Sequence, residues 1–399
     1  MTPSALRFVN ARIVRADGVE TGELIISNGV IVDGAPDAET VDCGGKVLAP
    51  GIIDLGVFAI DRQAFRAGGI VRVGLMPDQS PVLDGPALVQ RSSLIGKPLL
   101  WIHPMAAATK GLAGADLAEM AIMQSAGAKA VCTGRGWIAD SGVMRKVMAY
   151  ARDLGLVVVS HAEDGGLTGN AVATEGESAT RLGLTAAPAI AEALAVARDL
   201  TLAEETGARL HFRQVTTAAA FDLIRAAKRR GVRVTCGITP AHLFLSDNAM
   251  SDFRTFAHLS PPLRAESDRQ AALAAVRDGT VDILCSGHDP QGPEEKRLPF
   301  ADSAAGASGA ETLLALSLGL ELPFERLFAM LAANPAQVLG LETGTLAPGM
   351  PADLVLLDPD APWQIRADQL KARAGNTPFD GLPVQGKVLR LWKGGAEIA

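Results

Sequence analysis

Ala49-Pro50-Gly51-Ile52-Ile53-Asp54-Leu55-Gly56-Val57-Phe58-Ala59-Ile60-Asp61 divides the chain into two textures. A Pro-Gly turn feeds the short apolar run from Ile52 to Val57, which reads as a turn followed by a buried parallel strand. Before it, residues 6–14, 23–26 and 30–32 read as short antiparallel strands. Asn28-Gly29 between the last two is a two-residue hairpin signal, because both central positions need positive φ. The same texture returns at 354–357 and 387–392, so both chain ends are expected to build one small β-sandwich.

After the dividing stretch the pattern becomes strands alternating with helices. Apolar runs of strand length fall at 52–58, 70–75, 99–103, 129–133, 156–161, 210–215, 232–236 and 281–286. Helical periodicity, with apolar residues three and four apart, marks 115–125, 142–154, 187–206, 217–230 and 265–278. Eight strands with interposed helices are the order of an α/β fold, a (β/α)₈ barrel, although a doubly wound sheet satisfies the same pattern. The expected organisation is sandwich over residues 1–51, barrel over 52–342 and sandwich again over 343–399. In such barrels function is sought at the C-terminal ends of the strands.

Composition narrows the classes. The 399 residues are 48% apolar and 20% charged with net charge −7, a mildly acidic globular composition large enough for an enzyme. No basic stripe points to nucleic acid. The first residues show no charged segment followed by an apolar one, and no run approaches the roughly 18 apolar residues of a membrane span, so the expected location is cytoplasmic. The four cysteines, Cys43, Cys132, Cys236 and Cys285, are widely spaced without Cys-x-x-Cys, which argues against a disulfide framework or a structural zinc finger.

Several strings, in order, cover nearly the whole chain: Pro50-Gly51-Ile52-Ile53-Asp54, Met76-Pro77-Asp78, Thr109-Lys110-Gly111, Ser160-His161-Ala162-Glu163-Asp164, His211-Phe212-Arg213-Gln214-Val215-Thr216-Thr217, Ser260-Pro261-Pro262-Leu263-Arg264, Asp289-Pro290-Gln291, Ala333-Asn334-Pro335-Ala336 and Gly375-Asn376-Thr377-Pro378-Phe379-Asp380-Gly381. On these the chain resembles the cyclic amidohydrolases, most closely dihydroorotase, whose dividing stretch reads Pro-Gly-(Phe/Ile)-Ile-Asp-x-His-x-His-x-Arg. The resemblance implies an amidohydrolase barrel with two zinc ions. Their ligands are two histidines after strand one, a carboxylate or carboxylated lysine after strand four, a histidine after each of strands five and six, and an aspartate after strand eight.

Here those positions hold Gly56, Phe58, Thr133 or Gly134, His161, Gln214 and Gly287. Only His161 remains. Catalytic zinc takes about three protein ligands plus an open position, so zinc is expected to be absent, with no activated hydroxide and no catalytic residue. The family's substrate-gripping arginine, asparagines and second histidine are replaced by Ile60, Asp78, Ser260 and Gln291. Losing an arginine removes a bidentate carboxylate clamp, so no substrate-binding residue is expected.

Three rebuilt arrangements deserve weighing. Cys132 and Cys285 lie two residues before Gly134 and Gly287, on one strand face with them, and with His161 offer three soft ligands; the plainer role is barrel filler. Ser160, His161 and Asp164 suggest a nucleophilic triad, but neighbours on one strand point apart. Met76, Trp101 and Phe58 suggest a mouth packed with side chains. His103, His211 and His288 are expected to be structural. The resemblance further implies a non-catalytic dihydroorotase-like protein of pyrimidine biosynthesis, part of an oligomer with the catalytic subunit of aspartate carbamoyltransferase. A cyclic-amide hydrolase with a rebuilt metal site is the alternative, and a sensor of pyrimidine precursors a third reading.

Overall fold

The computed structural model describes residues 5–398; the residues before Ala5, which open the leader argument, lie outside them. Eight parallel strands follow in chain order round a barrel: Ile52–Val57, Ile70–Leu75, Trp101–Ala107, Ala130–Cys132, Val157–Ser160, Arg209–Phe212, Val234–Ile238 and Ile283–Leu284. Each pairs with the next. With no reversal of order, the doubly wound alternative is excluded. No helix among the described residues is long and apolar enough to cross a membrane.

The ladder does not close the barrel by itself, because strand eight pairs only with strand seven. The seam is bridged by Asp54, wholly buried on strand one. Its Oδ1 accepts the Ser286 N–H at 2.9 Å and its Oδ2 accepts the Ser286 hydroxyl, while the Phe58 N–H donates to the His288 carbonyl at 2.9 Å.

Helices Ser141–Asp153, Ile190–Thr206, Ala218–Arg229 and Glu266–Asp278 pack their apolar faces on the outside of the strands. The first is capped by Asp140, whose Oδ1 accepts the Val143 N–H at 2.9 Å. The barrel interior is filled by Leu55, Met76, Met105, Cys132, Val159 and Cys285, and Val338 and Leu339 close it from below. In the 115–125 stretch only Met120–Ser125 is helical, because Leu117 forms a bridge with Thr109 that holds the preceding residues extended. Strand three begins at Trp101 and runs past His103 to Ala107. Trp101 therefore stands at the end away from the mouth, against Lys393 and Arg72, and does not fill the old site. His103 sits early in the strand, with Nε2 3.4 Å from the Arg72 guanidinium, rather than at its end.

Both chain ends share one mixed sheet. Ala5–Val14 pairs with Val19–Ser27 on one edge; on the other it pairs in parallel first with Glu39–Asp42 and then with Val47–Pro50, which leads to Leu354–Gln364 and Pro383–Lys393. Asn28 and Gly29 both have positive φ, as the hairpin demands. Phe8 and Trp392 lie on strands three places apart, a flat-sheet separation of about 14 Å, yet their rings meet at 4.8 Å. The sheet thus folds over a core of its own, which contains Leu24, Ile26, Leu48, Leu354 and Leu356.

The seam carries two predictions. Asp54→Ala strands the Ser286 N–H and is expected to cost about 1–3 kcal/mol beyond the cavity it leaves, read as a lowered urea midpoint. Burial pushes the Asp54 carboxyl up to about 6 against the two Ser286 hydrogen bonds that lower it. A folded pKa raised above the ordinary value favours the protonated form. The stability this contributes is complete below pH about 4 and is lost as pH rises through about 6. Asp54→Asn keeps an acceptor for the N–H and stays neutral, so it is expected to gain on the wild type by about 1–3 kcal/mol between pH 4 and 7. Parallel unfolding curves for the two proteins across that range would refute this.

Candidate active site at the barrel mouth

The C-terminal ends of the strands bring together His161, Gln214, Gly287, Gly56, Phe58 and Thr133 in one region, joined by residues that string matching did not single out. The principal one is Arg213. Side chains alternate along strand six, so with His211 turned inward, where its Nδ1 meets Thr235 Oγ1 at 2.8 Å, Arg213 also faces the interior. It is 3% exposed. Its Nη1 donates to Gln214 Oε1 at 2.9 Å and its Nη2 faces His161 Nδ1 at 3.3 Å, while Nε has no partner.

Gly56 sits at a break in the register of strands one and two with φ 94°. A Cβ there would lie 3.3 Å from Arg213 Cγ, so the arginine stem occupies the space beside it. Gly287 has φ 59°, and a Cβ there would come within 3.0 Å of Gln214 Nε2.

Two guanidinium groups lie over the Phe58 ring, with Arg135 Cζ 3.7 Å and Arg213 Cζ 5.0 Å from its centre. Arg135 is in turn fixed by Asp289, through bonds of 2.5 and 2.9 Å, and its N–H donates to Asp78 Oδ1 at 2.8 Å. The other Asp78 oxygen is buried without a partner. Gln291 turns its amide back onto Asp289 Oδ1 at 3.0 Å, Ile60 packs on the outer core, and Ser260 is exposed at the rim. The cavity left between Phe58, Arg213, Gln214, Thr239 and Gly287 measures about 40 Å³.

His161 is held from three sides. Its N–H donates to Thr133 Oγ1 at 3.0 Å, its Nδ1 faces Arg213, and its Nε2 lies 3.4 Å from Glu163 Oε2. Behind it runs a buried ion network. Arg264 donates to Glu163 at 2.7 Å and to Thr216 Oγ1 at 2.9 Å, and lies 3.4 Å from Glu192. Glu192 also accepts from the N–H and hydroxyl groups of Thr216 and Thr217. Burial raises the Glu163 carboxyl, but His161 and the Arg264 guanidinium outweigh it and hold the group down at about 2.

The other arrangements read from the sequence are not assembled. Ser160 Oγ donates to Asp199 at 2.8 Å on the helix side, and Asp164 caps a short helix by accepting the Gly166 N–H, so no triad forms. Cys132 Sγ lies against Met76 Sδ at 3.9 Å and Cys285 Sγ against the Ile238 carbonyl at 3.6 Å. Burial pushes both thiols up to about 12, so they stay protonated and fill the barrel. His288 is buried with Nδ1 3.4 Å from the Ala310 N–H, a loop contact.

The model of the Amidohydrolase family matches residues 118–398. Relatives described as dihydroorotase include one from Geobacter sp. (strain M21), 36% identical over 92% of both chains, and one from Desulforapulum autotrophicum, 37% identical over 96% of both. Among solved structures, L-hydantoinase from Arthrobacter aurescens superposes with TM-score 0.88 at 24% identity, covering 99% of this chain and 96% of its own. Dihydropyrimidinase from Brevibacillus agri superposes with TM-score 0.85 at 21% identity, covering 99% and 95%.

These comparisons correct the expectation that zinc is absent. Dihydroorotases and hydantoinases of this family are typically zinc-dependent, and substitutions at five of the six ligand positions do not by themselves show the metal to be lost. The donors at those positions nevertheless do not fit the two-ion arrangement the resemblance implies. No three His, Cys, Asp or Glu side chains gather among the described residues, and His161 Nδ1 is turned onto a guanidinium. Matched by the family model over most of its length and by dihydroorotases across nine-tenths of it, the chain belongs to the amidohydrolase family.

Proposed function

We propose that this is a dihydroorotase-like protein of pyrimidine biosynthesis whose barrel mouth no longer turns over the cyclic amide, and which serves as an assembly partner of aspartate carbamoyltransferase. The observation that carries the loss of turnover is the filled mouth. A cavity of about 40 Å³ remains where ligand sites ordinarily measure roughly 300–1,000 Å³. Phe58 and the buried Arg213 occupy the rest, and Arg213 cannot leave without exposing Phe58 and His161. Hydrolysis also needs a base within hydrogen-bond reach of the attacking water. The Glu163 carboxylate is committed to Arg264 and His161, and Asp289 to Arg135; Asp78 accepts the Arg135 N–H through Oδ1, and its partnerless Oδ2 is buried away from water.

The partnership follows from the family resemblance. What supports it physically is that the barrel exterior and the two-ended sheet are intact while the mouth is filled, so the surfaces available for contact do not depend on chemistry. The alternative, a working hydrolase, is favoured by the many relatives named dihydroorotase.

Two measurements separate the readings. Purified protein, given dihydroorotate or carbamoyl-aspartate with and without added zinc, is expected to show no turnover above the buffer rate; saturable, zinc-dependent turnover establishes the hydrolase instead. Co-expressed with the aspartate carbamoyltransferase of the same organism, the chain is expected to co-elute with it at micromolar concentration and to raise its activity. Separate elution, with a transferase fully active alone, removes the partnership.

A further inference from the structure

We propose that the end of the barrel opposite the mouth binds a phosphorylated small molecule with an apolar body. A cavity of about 300 Å³ opens at the N-terminal ends of strands five to eight, within the range of ordinary ligand sites. Its floor is apolar, made by Val157, Leu210, Val232 and Val338, and two arginines stand at it, Arg209 and Arg233. Both guanidinium groups line this one cavity, and burial together with the Arg233 charge pushes the Arg209 guanidinium down from its ordinary value.

Neither has a carboxylate partner among the described residues. Arg209 donates to the Gln337 and Val338 carbonyls at 2.8 and 2.9 Å, and Arg233 to the Gly207 carbonyl. One carboxylate, Asp282, also lines the cavity, and both its oxygens accept from Lys228 at 2.7 Å. The plain reading is that each arginine caps the carbonyl end of a helix. Capping accounts for one or two of the five N–H donors on each guanidinium. It does not explain why two like charges are held together over an apolar floor. A phosphate monoester supplies the missing counter-charge and accepts the fork of donors that a guanidinium presents. An apolar group attached to it covers the valines and leucine. The inference stands whether or not the mouth hydrolyses cyclic amides.

The test is calorimetric titration of the full chain at low ionic strength with phenyl phosphate, AMP, inorganic phosphate and uncharged adenosine. Phenyl phosphate or AMP is expected to bind with Kd below about 1 mM, inorganic phosphate at least about tenfold more weakly, and adenosine not measurably. Arg209→Met and Arg233→Met are each expected to weaken binding about tenfold or more, the worth of one charged fork. Arg233 is exposed, so its variant decides the matter should Arg209→Met fail to fold. No saturation at 10 mM probe overturns the inference, as do inorganic phosphate binding as well as phenyl phosphate, or affinities unchanged in the Arg233 variant.

Discussion

The fold hangs on a carboxylate at a seam. An eight-stranded barrel has no free edge when its ladder is complete, but here strand eight is two residues long and reaches only strand seven. Asp54 supplies what the ladder lacks, taking both the backbone and the hydroxyl donor of Ser286. A wholly buried carboxylate is costly unless hydrogen-bonded, so the seam must stay dry and closely fitted. That fit also places the chain beyond it. Phe58, four residues on, bonds the His288 carbonyl and is thereby aimed across the mouth.

From that constraint the mouth acquires its character. With Phe58 fixed above the barrel, two cations lie over its ring, Arg135 from the loop after strand four and Arg213 just past strand six. Their charges are held in place by Asp289 and by contacts to Gln214 and His161. The Glu163–Arg264–Glu192 network lies behind this layer and ties the loops after strands five, six and seven to one another. Among the described residues it meets the mouth at His161, which Glu163 approaches at 3.4 Å. Changes at the metal positions therefore leave the scaffold standing, because the network and the seam carry the structural load separately.

All eight barrel strands were legible because each is an apolar run bounded by turn residues, and their order alone narrowed the fold to two candidates. The hairpin at Asn28-Gly29 was legible because two adjacent positive φ values leave few residue choices. Strand three was misplaced because the run from Leu99 to His103 resembles its neighbours, while Pro104 conceals the continuation to Ala107. Trp101 was assigned to the wrong end for the same reason. At the site, five of the six aligned positions were legible as absences and His161 as the one retained, but Arg213 and Arg135 were not noticed as what fills the space. The signal was present for Arg213: it stands two residues from His211 on a strand with period two. Nothing in the sequence indicates that Arg135 reaches Asp289, a partner 154 residues away. The step from missing ligands to missing zinc failed differently, since it treated six side chains as the family, and the resemblance across the remaining chain outweighs them.

The substitutions at the mouth are coupled, which bears on how such a site changes. A histidine restored at position 56 would meet the Arg213 stem and sit at a positive φ that disfavours a side chain. An aspartate restored at 287 would press on the Gln214 amide. Removing Arg213 alone would free His161 Nδ1 while leaving Phe58 with one of its two cations and Gln214 without its donor. Neither reversal, at 56 or at 287, fits the present packing, since position 56 abuts Arg213 and position 287 abuts the Gln214 that Arg213 holds. A mouth of this kind is a packed unit in its own right: its residues contact one another as the interior of a core does, and its small residual cavity follows from that packing.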